Sequence, residues 1–338
     1  MSGEREESVA VVGAGSWGTA FALMLAGRHE AVALWAHEPE VFADLRDRRE
    51  NRAFLPGIAL PPAIRPTNDL AEAVSGKTAV IFAVPSHHLR EIAARAAAHL
   101  SPDACLVSLV KGVENGTLKR MTEVLAEASP GHAPRVAALS GPTFAREVAE
   151  GKPTGATVAA RDLSVARRLQ HALSGSRFRL YADDDVTGIE IGGALKNVMA
   201  IAAGMADGLG FGHNARALLI SRGLAEISRL GVRLGAHPQT FAGLAGMGDL
   251  VLTCTGDLSR NRTVGMRLGR GEKIGEILAG MTMVAEGVRT AVSAVELSCL
   301  TGVPMPISEQ VHAILHQGKD AREAVNELFS RALTREKE

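Results

Sequence analysis

The feature that most constrains the fold of this chain is a glycine triplet near its amino terminus. Gly13-x-Gly15-x-x-Gly18 closes a β-favouring run over residues 8–12 and opens a helical pattern over residues 19–27. One glycine permits the tight turn, the second lets backbone approach a pyrophosphate, and the third allows close packing of the helix. The helix amino terminus would supply N–H groups for phosphates. We therefore predict a dinucleotide-binding loop, the alternative being a tight turn between strand and helix without a ligand.

Further strand-like runs extend this unit into a sheet. They cover residues 31–36, 79–84, 106–109, 135–139, 154–160 and 178–181. Strands that are apolar almost throughout are typical of parallel sheets covered on both faces, and helical stretches lie between these runs. From residue 183 the pattern becomes helical. A chain of 338 residues exceeds the usual size of one core. We predict an α/β fold, with an N-terminal Rossmann-like doubly wound domain (1–182) and an all-α C-terminal substrate and catalytic domain (183–338).

Charge and targeting signals exclude several classes of protein. Lys plus Arg (37) equals Asp plus Glu (37), which argues against a nucleic-acid binder. Residues 1–8 are acidic and polar, unlike a secretory signal, and the longest apolar run, residues 198–206, is about half of what a membrane span needs. The three cysteines are far apart and the eleven histidines are scattered. We expect a cytoplasmic protein with reduced, mostly buried thiols, no metal site and no stable membrane insertion.

Two positions near the loop leave alternatives open. Trp17 is either a core aromatic or a cap over the cofactor. The second strand ends at His37 and Glu38, where an acid selects NAD and a basic group tolerates the 2′-phosphate of NADP. His37 is equally compatible with a phosphate contact and with a surface histidine. The choice between NAD and NADP therefore stays open.

Polar residues beside glycine interrupt the apolar pattern where two predicted strands end. Lys111 follows one strand, and the segment from Ser140 to Thr143 follows the next. Ligands of open α/β sheets bind at the carboxyl ends of strands, so both segments are candidates for a binding site. Thr143 either caps the following helix or donates to a ligand.

In the helical half, Lys196 lies in an apolar segment with Gly192, Gly193 and Ala200 on its own face. These small residues suggest a hollow under the amine that could admit a ligand. Burial lowers the pKa of a lysine, as acid–base chemistry requires. Asp249 also lies in an apolar stretch, where an ionised carboxylate needs a partner, and Lys196 is a candidate. The alternative for Asp249 is a glycine turn or a helix cap.

Two further polar sites follow. Arg260, flanked by Ser259 and Asn261, suits a phosphate because the guanidinium matches two oxygens at once. The alternative is an exposed, basic start of a helix. Glu286 lies among apolar residues and could accept hydrogen bonds from ribose or amide groups, or pair with a nearby arginine.

In their order along the chain, these segments resemble the bacterial soluble, NAD(P)-dependent glycerol-3-phosphate dehydrogenases. The similarity runs from residue 11 to about residue 323 through GAGSWG, VPSH, SGPTFA, GGALKN, LAGMGDLVLTC, SRNR and VAEG. It implies a dinucleotide-binding domain, a helical domain, and interconversion of sn-glycerol 3-phosphate and dihydroxyacetone phosphate. The product would supply phospholipid synthesis.

The resemblance also implies residue roles. Lys196 would be the general acid–base residue, with Lys111 and Asp249 beside it in the catalytic set. Cofactor contacts would come from Gly13, Gly15, Ser16, Trp17, Gly18, His37, Lys111, Ala145, Arg260, Val284 and Glu286. Substrate contacts would come from Lys111, Gly141, Thr143, Lys196, Asp249, Ser259, Arg260 and Asn261.

We expect burial and Lys111 to lower the pKa of Lys196, and Asp249 to oppose that change. Two other functions stay open. The first is a related β-hydroxyacid or 6-phosphogluconate-type dehydrogenase, whose substrate carries a carboxylate. The second is a non-catalytic dinucleotide sensor, which the intact set of Lys196, Asp249 and Arg260 argues against. The apolar helical half suggests a homodimer.

Overall fold

The computed structural model describes residues 7–281, 283–332 and 335–336. The acidic start of the chain over residues 1–6 lies outside them. In the described residues the strands are, in chain order, β1 (Val9–Val12), β2 (Val32–Trp35), β3 (Glu50–Asn51), β4 (Leu55–Ala59), β5 (Ile64–Thr67), β6 (Ala79–Phe82), β7 (Cys105–Ser108), β8 (Val136–Ser140), β9 (Thr154–Ala160) and β10 (Phe178–Asp183). The predicted strands are therefore confirmed within about two residues at each end.

Eight of these strands form one sheet in the order β10-β9-β8-β7-β6-β1-β2-β5, while β3 and β4 form a separate antiparallel pair. All neighbouring pairs in the large sheet are parallel except β8–β9. The expected Rossmann-like α/β sheet is confirmed, with this one reversal. The helix between β8 and β9 has five residues and spans about 7.5 Å, less than the roughly 17 Å of β8, so it cannot return the chain for parallel pairing.

Three strands were not predicted: β3, β4 and β5. Pro56 and Gly57 interrupt β4, and Pro66 lies inside β5. Proline is tolerated in a strand mainly at an edge, and β5 is the edge strand beside β2. These breaker residues concealed β4 and β5 in the sequence pattern, and β3 has two residues, too few to show a period.

Helices cover both faces of the sheet. They are α1 (Ser16–Leu25), α2 (Pro39–Ala43), α3 (Leu70–Val74), α4 (Leu89–Ala97), α5 (Met121–Ala128), α6 (Ala145–Ala149) and α7 (Leu163–Leu173). Two apolar clusters result, one containing Phe21 and Leu34, the other containing Trp35 and Phe82. The side chains of β1 and β2 point alternately to the two faces of the sheet and so contribute to both clusters, as expected for strands buried on two faces.

The described carboxyl half is helical, as predicted. Its helices are α8 (Val186–Gly208), α9 (Gly212–Arg233), α10 (Asp249–Thr255), α11 (Arg260–Gly269), α12 (Ile274–Ala279), α13 (Glu286–Thr301), α14 (Pro306–Gln317) and α15 (Ala321–Ser330). The last strand ends at Asp183 and α8 begins at Val186. The division into domains at 182/183 stays a prediction.

Helix α8 is the buried centre of the helical half. Among the described residues it is the one helix long and apolar enough to cross a membrane, yet it is fully buried within the protein. The sequence expectation of no such segment was wrong, because it counted uninterrupted apolar runs, and Glu190 and Lys196 interrupt this one. Burial on all sides identifies α8 as a core helix.

Contacts at the start of α8 fix it against the sheet. Val186 and Ile189 pack with Ala138 of β8. The carboxylate of Glu190 accepts hydrogen bonds from the backbone N–H of Thr122 at 2.8 Å and from Arg120 at 3.1 Å, both near the start of α5. These contacts set the position of the residues that follow on α8.

Candidate active site

Two lysines share one buried carboxylate between the sheet and the helical half. Lys111 Nζ donates to Asp249 Oδ2 at 2.6 Å, and Lys196 Nζ donates to Asp249 Oδ1 at 2.5 Å. Asp249 is 1% exposed and Lys196 is 6% exposed. Lys196 is therefore the partner of Asp249, as the apolar sequence context predicted.

Burial lowers the pKa of the Lys196 amine to about 8. The charge of Asp249 opposes the change, and the positive charge of Lys111 adds to it. These are the two directions that the sequence predicted. The amine consequently changes protonation state close to neutral pH, where a general acid or base is most effective.

Thr253 completes the surroundings of the amine. Lys196 Nζ donates to Thr253 Oγ1 at 2.8 Å, and this hydroxyl donates to the backbone carbonyl of Asp249 at 2.7 Å. Asp249 is the first residue of α10, so Thr253, four residues later, lies on the same helix face. Two of the three N–H bonds of the ammonium group are thus engaged by α10.

The hollow expected beneath Lys196 is filled, so that expectation was wrong. A Cβ on Gly192 would lie 2.7 Å from the carbonyl oxygen of Ala245, and one on Gly193 would meet Ser140 Oγ. Both glycines let neighbouring segments approach α8. The small residues therefore bring Asp249 and the end of β8 close to Lys196 instead of leaving space for a ligand.

The segment after β8 holds the other side of Lys111. Lys111 Nζ donates to the carbonyl of Gly141 at 2.8 Å and to Thr143 Oγ1 at 3.2 Å. Helix α6 has Phe144 at its N-cap with no side-chain cap bond, so the capping role considered for Thr143 was wrong. Thr143 instead donates to Gly141, at 3.1 Å.

Asparagine side chains connect this cluster to α11 and α13. Asn261 Nδ2 donates to Asn197 Oδ1 at 2.9 Å, and Asn197 Nδ2 donates to the backbone carbonyl of Lys111 at 3.3 Å. Asn261 Oδ1 accepts from the N–H of Gly287 at 3.0 Å. Ser259 is the N-cap of α11 and its hydroxyl accepts from the N–H of Arg262.

Arg260 and Glu286 lie next to this network. Arg260 Nη1 donates to the carbonyl of Val284 at 3.0 Å. Burial lowers the pKa of Arg260, and the charge of Glu286 opposes this. The Glu286 carboxylate accepts from the N–H of Ser86 at 3.0 Å and from its hydroxyl at 2.7 Å. Glu286 thus takes these hydrogen bonds from a serine of the opposite half, and it interacts with Arg260 through its charge.

The glycine loop has the geometry that a pyrophosphate needs. Gly13 has φ +115°, and a Cβ there would lie 2.8 Å from the carbonyl oxygen of Ala83. A Cβ on Gly18 would collide with the carbonyl oxygen of Gly13, whereas one on Gly15 would meet no described atom within 4 Å. Helix α1 has no side-chain cap. A dinucleotide phosphate fits this open, uncapped helix start.

The remaining predicted cofactor residues differ in their surroundings. Half-buried Ser16 begins α1 and half-buried Ala145 begins α6. The Trp17 ring packs 5.5 Å from that of Phe21, which favours the core interpretation. His37 is exposed, with its ring 5.6 Å from that of Trp35. The structure places His37 apart from the contacts around Lys196.

Three residues of this site were missed: Ser86, Asn197 and Thr253. Thr253 carries a helical signal, because it lies four residues after Asp249. Asn197 is adjacent to Lys196 in a helix, a position that points to a different face. Ser86 pairs with Glu286 across 200 residues, and no local pattern predicts such a contact.

A buried amine that titrates near neutral pH is useful where a proton must accompany a hydride, and the nucleotide loop at the same sheet edge is where a hydride donor would bind. The class of protein is therefore a nicotinamide-dependent dehydrogenase with a Rossmann-like half and a helical half. Residues 8–166 match the family described as NAD-dependent glycerol-3-phosphate dehydrogenase N-terminus, and residues 185–326 match its C-terminus. The chain belongs to the NAD-dependent glycerol-3-phosphate dehydrogenase family.

Individual relatives are similar in sequence to this chain over nearly its whole length. It is 54% identical over 331 residues to the glycerol-3-phosphate dehydrogenase (NAD(P)+) of Koribacter versatilis, covering 97% of this chain and 98% of that protein. Its relative from Citrifermentans bemidjiense is 55% identical over 331 residues, covering 98% and 99%. The crystal structure of glycerol-3-phosphate dehydrogenase from Coxiella burnetii superposes with a TM-score of 0.92 at 37% identity, covering 96% of this chain and 99% of that one.

Proposed function

We propose that this protein interconverts sn-glycerol 3-phosphate and dihydroxyacetone phosphate with NAD(P), with Lys196 as the general acid–base residue. The observation that carries the proposal is the buried Lys111–Asp249–Lys196 cluster, in which the pKa of Lys196 is lowered to about 8. Similarity to relatives that bear this enzyme name supports the choice of substrate.

In the reductive direction, NAD(P)H when bound supplies a hydride to the ketone carbon. The Lys196 ammonium then gives its proton to the alkoxide oxygen, and in oxidation the neutral amine takes the proton back. Asp249 and Thr253 engage two N–H bonds of Lys196, which leaves the third to face the substrate oxygen. Lys111 adds positive charge beside the oxyanion, and Asp249 holds it there.

In this proposal, Arg260 and its neighbours bind the phosphate end of the substrate. The guanidinium is half-buried at the start of α11, with Asn261 fixed beside it. A guanidinium binds two phosphate oxygens at once, and this remote contact would orient the carbonyl toward Lys196. Gly141, Thr143 and Ser259 would complete the substrate site. The cofactor would be lined by Gly13, Gly15, Ser16, Gly18, His37, Ala145, Val284 and Glu286, while the Trp17 ring packs in the core.

The direct test follows the absorbance of reduced nicotinamide with dihydroxyacetone phosphate, with NADH and NADPH in parallel. Consumption that depends on dihydroxyacetone phosphate supports the proposal, and the ratio of the two cofactors' kcat/KM values decides their preference. A carboxylate-bearing substrate of the β-hydroxyacid dehydrogenases serves as the comparison. Turnover with that substrate alone would contradict the proposal, and cofactor binding without any turnover would favour a sensor.

The reaction should depend on pH through Lys196. Because reduction needs the ammonium form, kcat/KM for dihydroxyacetone phosphate should be flat below pH 8 and fall about tenfold per pH unit above it. Oxidation of glycerol 3-phosphate needs the neutral amine, so its kcat/KM should rise up to pH 8 and then level. Initial rates at saturating cofactor between pH 6.5 and 10 measure both. A reduction rate unchanged to pH 10 would contradict the assignment.

Replacing Arg260 with glutamine should raise the KM for dihydroxyacetone phosphate by roughly 10- to 100-fold, since a hydrogen-bonded charge is lost. The KM for the cofactor should change much less. Arg270, exposed at the end of the same helix, provides the matched control R270Q, which should leave both constants unchanged. Equal losses for substrate and cofactor in R260Q would remove the phosphate role.

The helical half buries α8 within the protein, and we propose a cytoplasmic enzyme that acts as a homodimer. Its glycerol 3-phosphate would enter phospholipid synthesis. NADP is compatible with exposed His37 at the end of β2, and NAD with neighbouring Glu38. Sedimentation equilibrium would test the dimer.

A further inference from the structure

Asn51 lies outside the motifs of the glycine loop and the lysine cluster, yet its side chain contacts the glycine loop. It belongs to β3 and is 1% exposed. Its Nδ2 donates to the carbonyl oxygen of Ala14 at 2.8 Å and to Thr19 Oγ1 at 2.7 Å. Its Oδ1 accepts from the backbone N–H of Phe54 at 3.0 Å. Both amide hydrogens and the amide oxygen are therefore used inside the protein.

The Ala14 carbonyl accepts from Asn51 at 2.8 Å and, over a longer 3.4 Å, from Thr19 Oγ1, and the shorter bond largely determines how the loop presents its backbone. In a trans peptide the C=O and the following N–H point in opposite directions. Holding the carbonyl of Ala14 toward Asn51 therefore turns the N–H of Gly15 away from Asn51. A Cβ on Gly15 would meet no described atom within 4 Å, so space for a phosphate is open beside this residue.

The loop needs a hydrogen bond from another segment, here called the tether, because glycine does not fix the orientation of a peptide plane. Rotation of the Ala14–Gly15 peptide changes ψ of Ala14 and φ of Gly15, and glycine accepts both signs of φ at little cost. Gly15 thus allows close approach of a phosphate, but also allows the peptide to turn over. Asn51 opposes that rotation, since turning the peptide would leave a buried amide without an acceptor.

We propose that Asn51 is a positioning residue for the cofactor: its buried amide holds the Ala14 carbonyl and thereby directs the Gly15 N–H to the pyrophosphate. The β3–β4 hairpin then has a function, because it carries this tether. The inference rests on the proposed function only in assuming that a dinucleotide binds at the loop.

The test exchanges the donor for an acceptor of the same shape. In N51D an ionised carboxylate would face the Ala14 carbonyl and repel it, whereas a protonated carboxyl can still donate to it. Burial raises the pKa of such a carboxyl toward neutral pH. Ala14 and Thr19, the partners from the loop and α1, are uncharged. On its own segment, Glu50 accepts from Gly57 and Arg49 donates to Pro61 and Ile64.

Titration of the variant with NADPH and with NADH, followed by nicotinamide fluorescence, measures the dissociation constant at pH 6 and pH 8.5. For N51D we expect weakening of about 10-fold or more at pH 8.5 and partial recovery at pH 6. The kcat at saturating cofactor should stay near the wild-type value. N326D is the matched control, because Asn326 is exposed on α15 and the same chemical change there should alter neither constant.

Two outcomes would overturn the inference. In the first, N51D binds cofactor like N326D at both pH values. In the second, its thermal unfolding temperature, kcat and affinity fall together at both pH values, as a purely structural role would produce. Failure of the proposed function is distinguishable, because the wild-type protein would then bind NAD(P)H without oxidising it in the presence of dihydroxyacetone phosphate. The binding measurement would still separate N51D from its control.

Discussion

Replacing Lys196 with methionine should lower kcat for dihydroxyacetone phosphate reduction by about 100- to 10,000-fold, the usual contribution of one general acid. Methionine is unbranched and apolar, so it fills the buried position without leaving a charge. Asp249 keeps a partner, because Lys111 still donates to it at 2.6 Å. The loss should therefore come from chemistry and not from an unpaired carboxylate.

The control for this variant lies in its cofactor affinity and its pH profile. NAD(P)H binding by fluorescence should remain within about twofold of the wild-type value, since Lys196 is placed in the substrate site and a factor of two is below 0.5 kcal/mol. Residual turnover should also lose the transition near pH 8. Near-normal kcat, or a residual rate that still falls above pH 8, would show that another group is the acid.

The parts of the site that were predictable are those for which local chemistry demanded a partner. Asp249 in an apolar stretch had to be paired, and the nearest candidate on a buried helix was Lys196. The glycine loop was predictable because each glycine has its own steric reason, visible in Gly13 and Gly18. These arguments need only a few neighbouring residues in sequence.

The parts that could not be predicted depend on contacts between distant segments. The position of Thr143 in the sequence suggested a helix cap, but α6 begins two residues later, and the Thr143 hydroxyl accepts a hydrogen bond from Lys111. Gly192 and Gly193 show that this face of α8 carries no bulky side chain, but the sequence does not say whether backbone or ligand fills the space beside it. Asn51 has no signal at all, because a two-residue strand has no measurable period.

The replacement D249N should combine a large kinetic effect with a change in stability. The amide keeps the shape of the carboxylate but removes the charge that two lysines share. Without it, Lys196 loses its orientation, and a small displacement of a catalytic group can cost on the order of 100-fold in kcat. Because Asp249 opposes the lowering of the Lys196 pKa, its loss should also move the transition in kcat/KM below pH 8. D103N, at an exposed aspartate away from the site, is the control.

The stability effect of D249N has a sign that tests the same electrostatic account. Removing one partner of a buried ion pair usually costs about 3–5 kcal/mol. Below the folded-state pKa of Lys196, its ammonium is charged in both states and the full cost applies. As pH rises from that pKa toward the unfolded value of about 10.4, the folded amine becomes neutral while the unfolded chain still binds the proton, so the free energy of unfolding increases. Because the Lys196 pKa is lower in D249N than in the wild type, the variant begins to gain this stability at a lower pH. Thermal unfolding should therefore show a larger gap between wild type and D249N at pH 6.5 than at pH 9.5. A gap that stays constant or widens with pH would mean that Asp249 does not stabilise a charged Lys196.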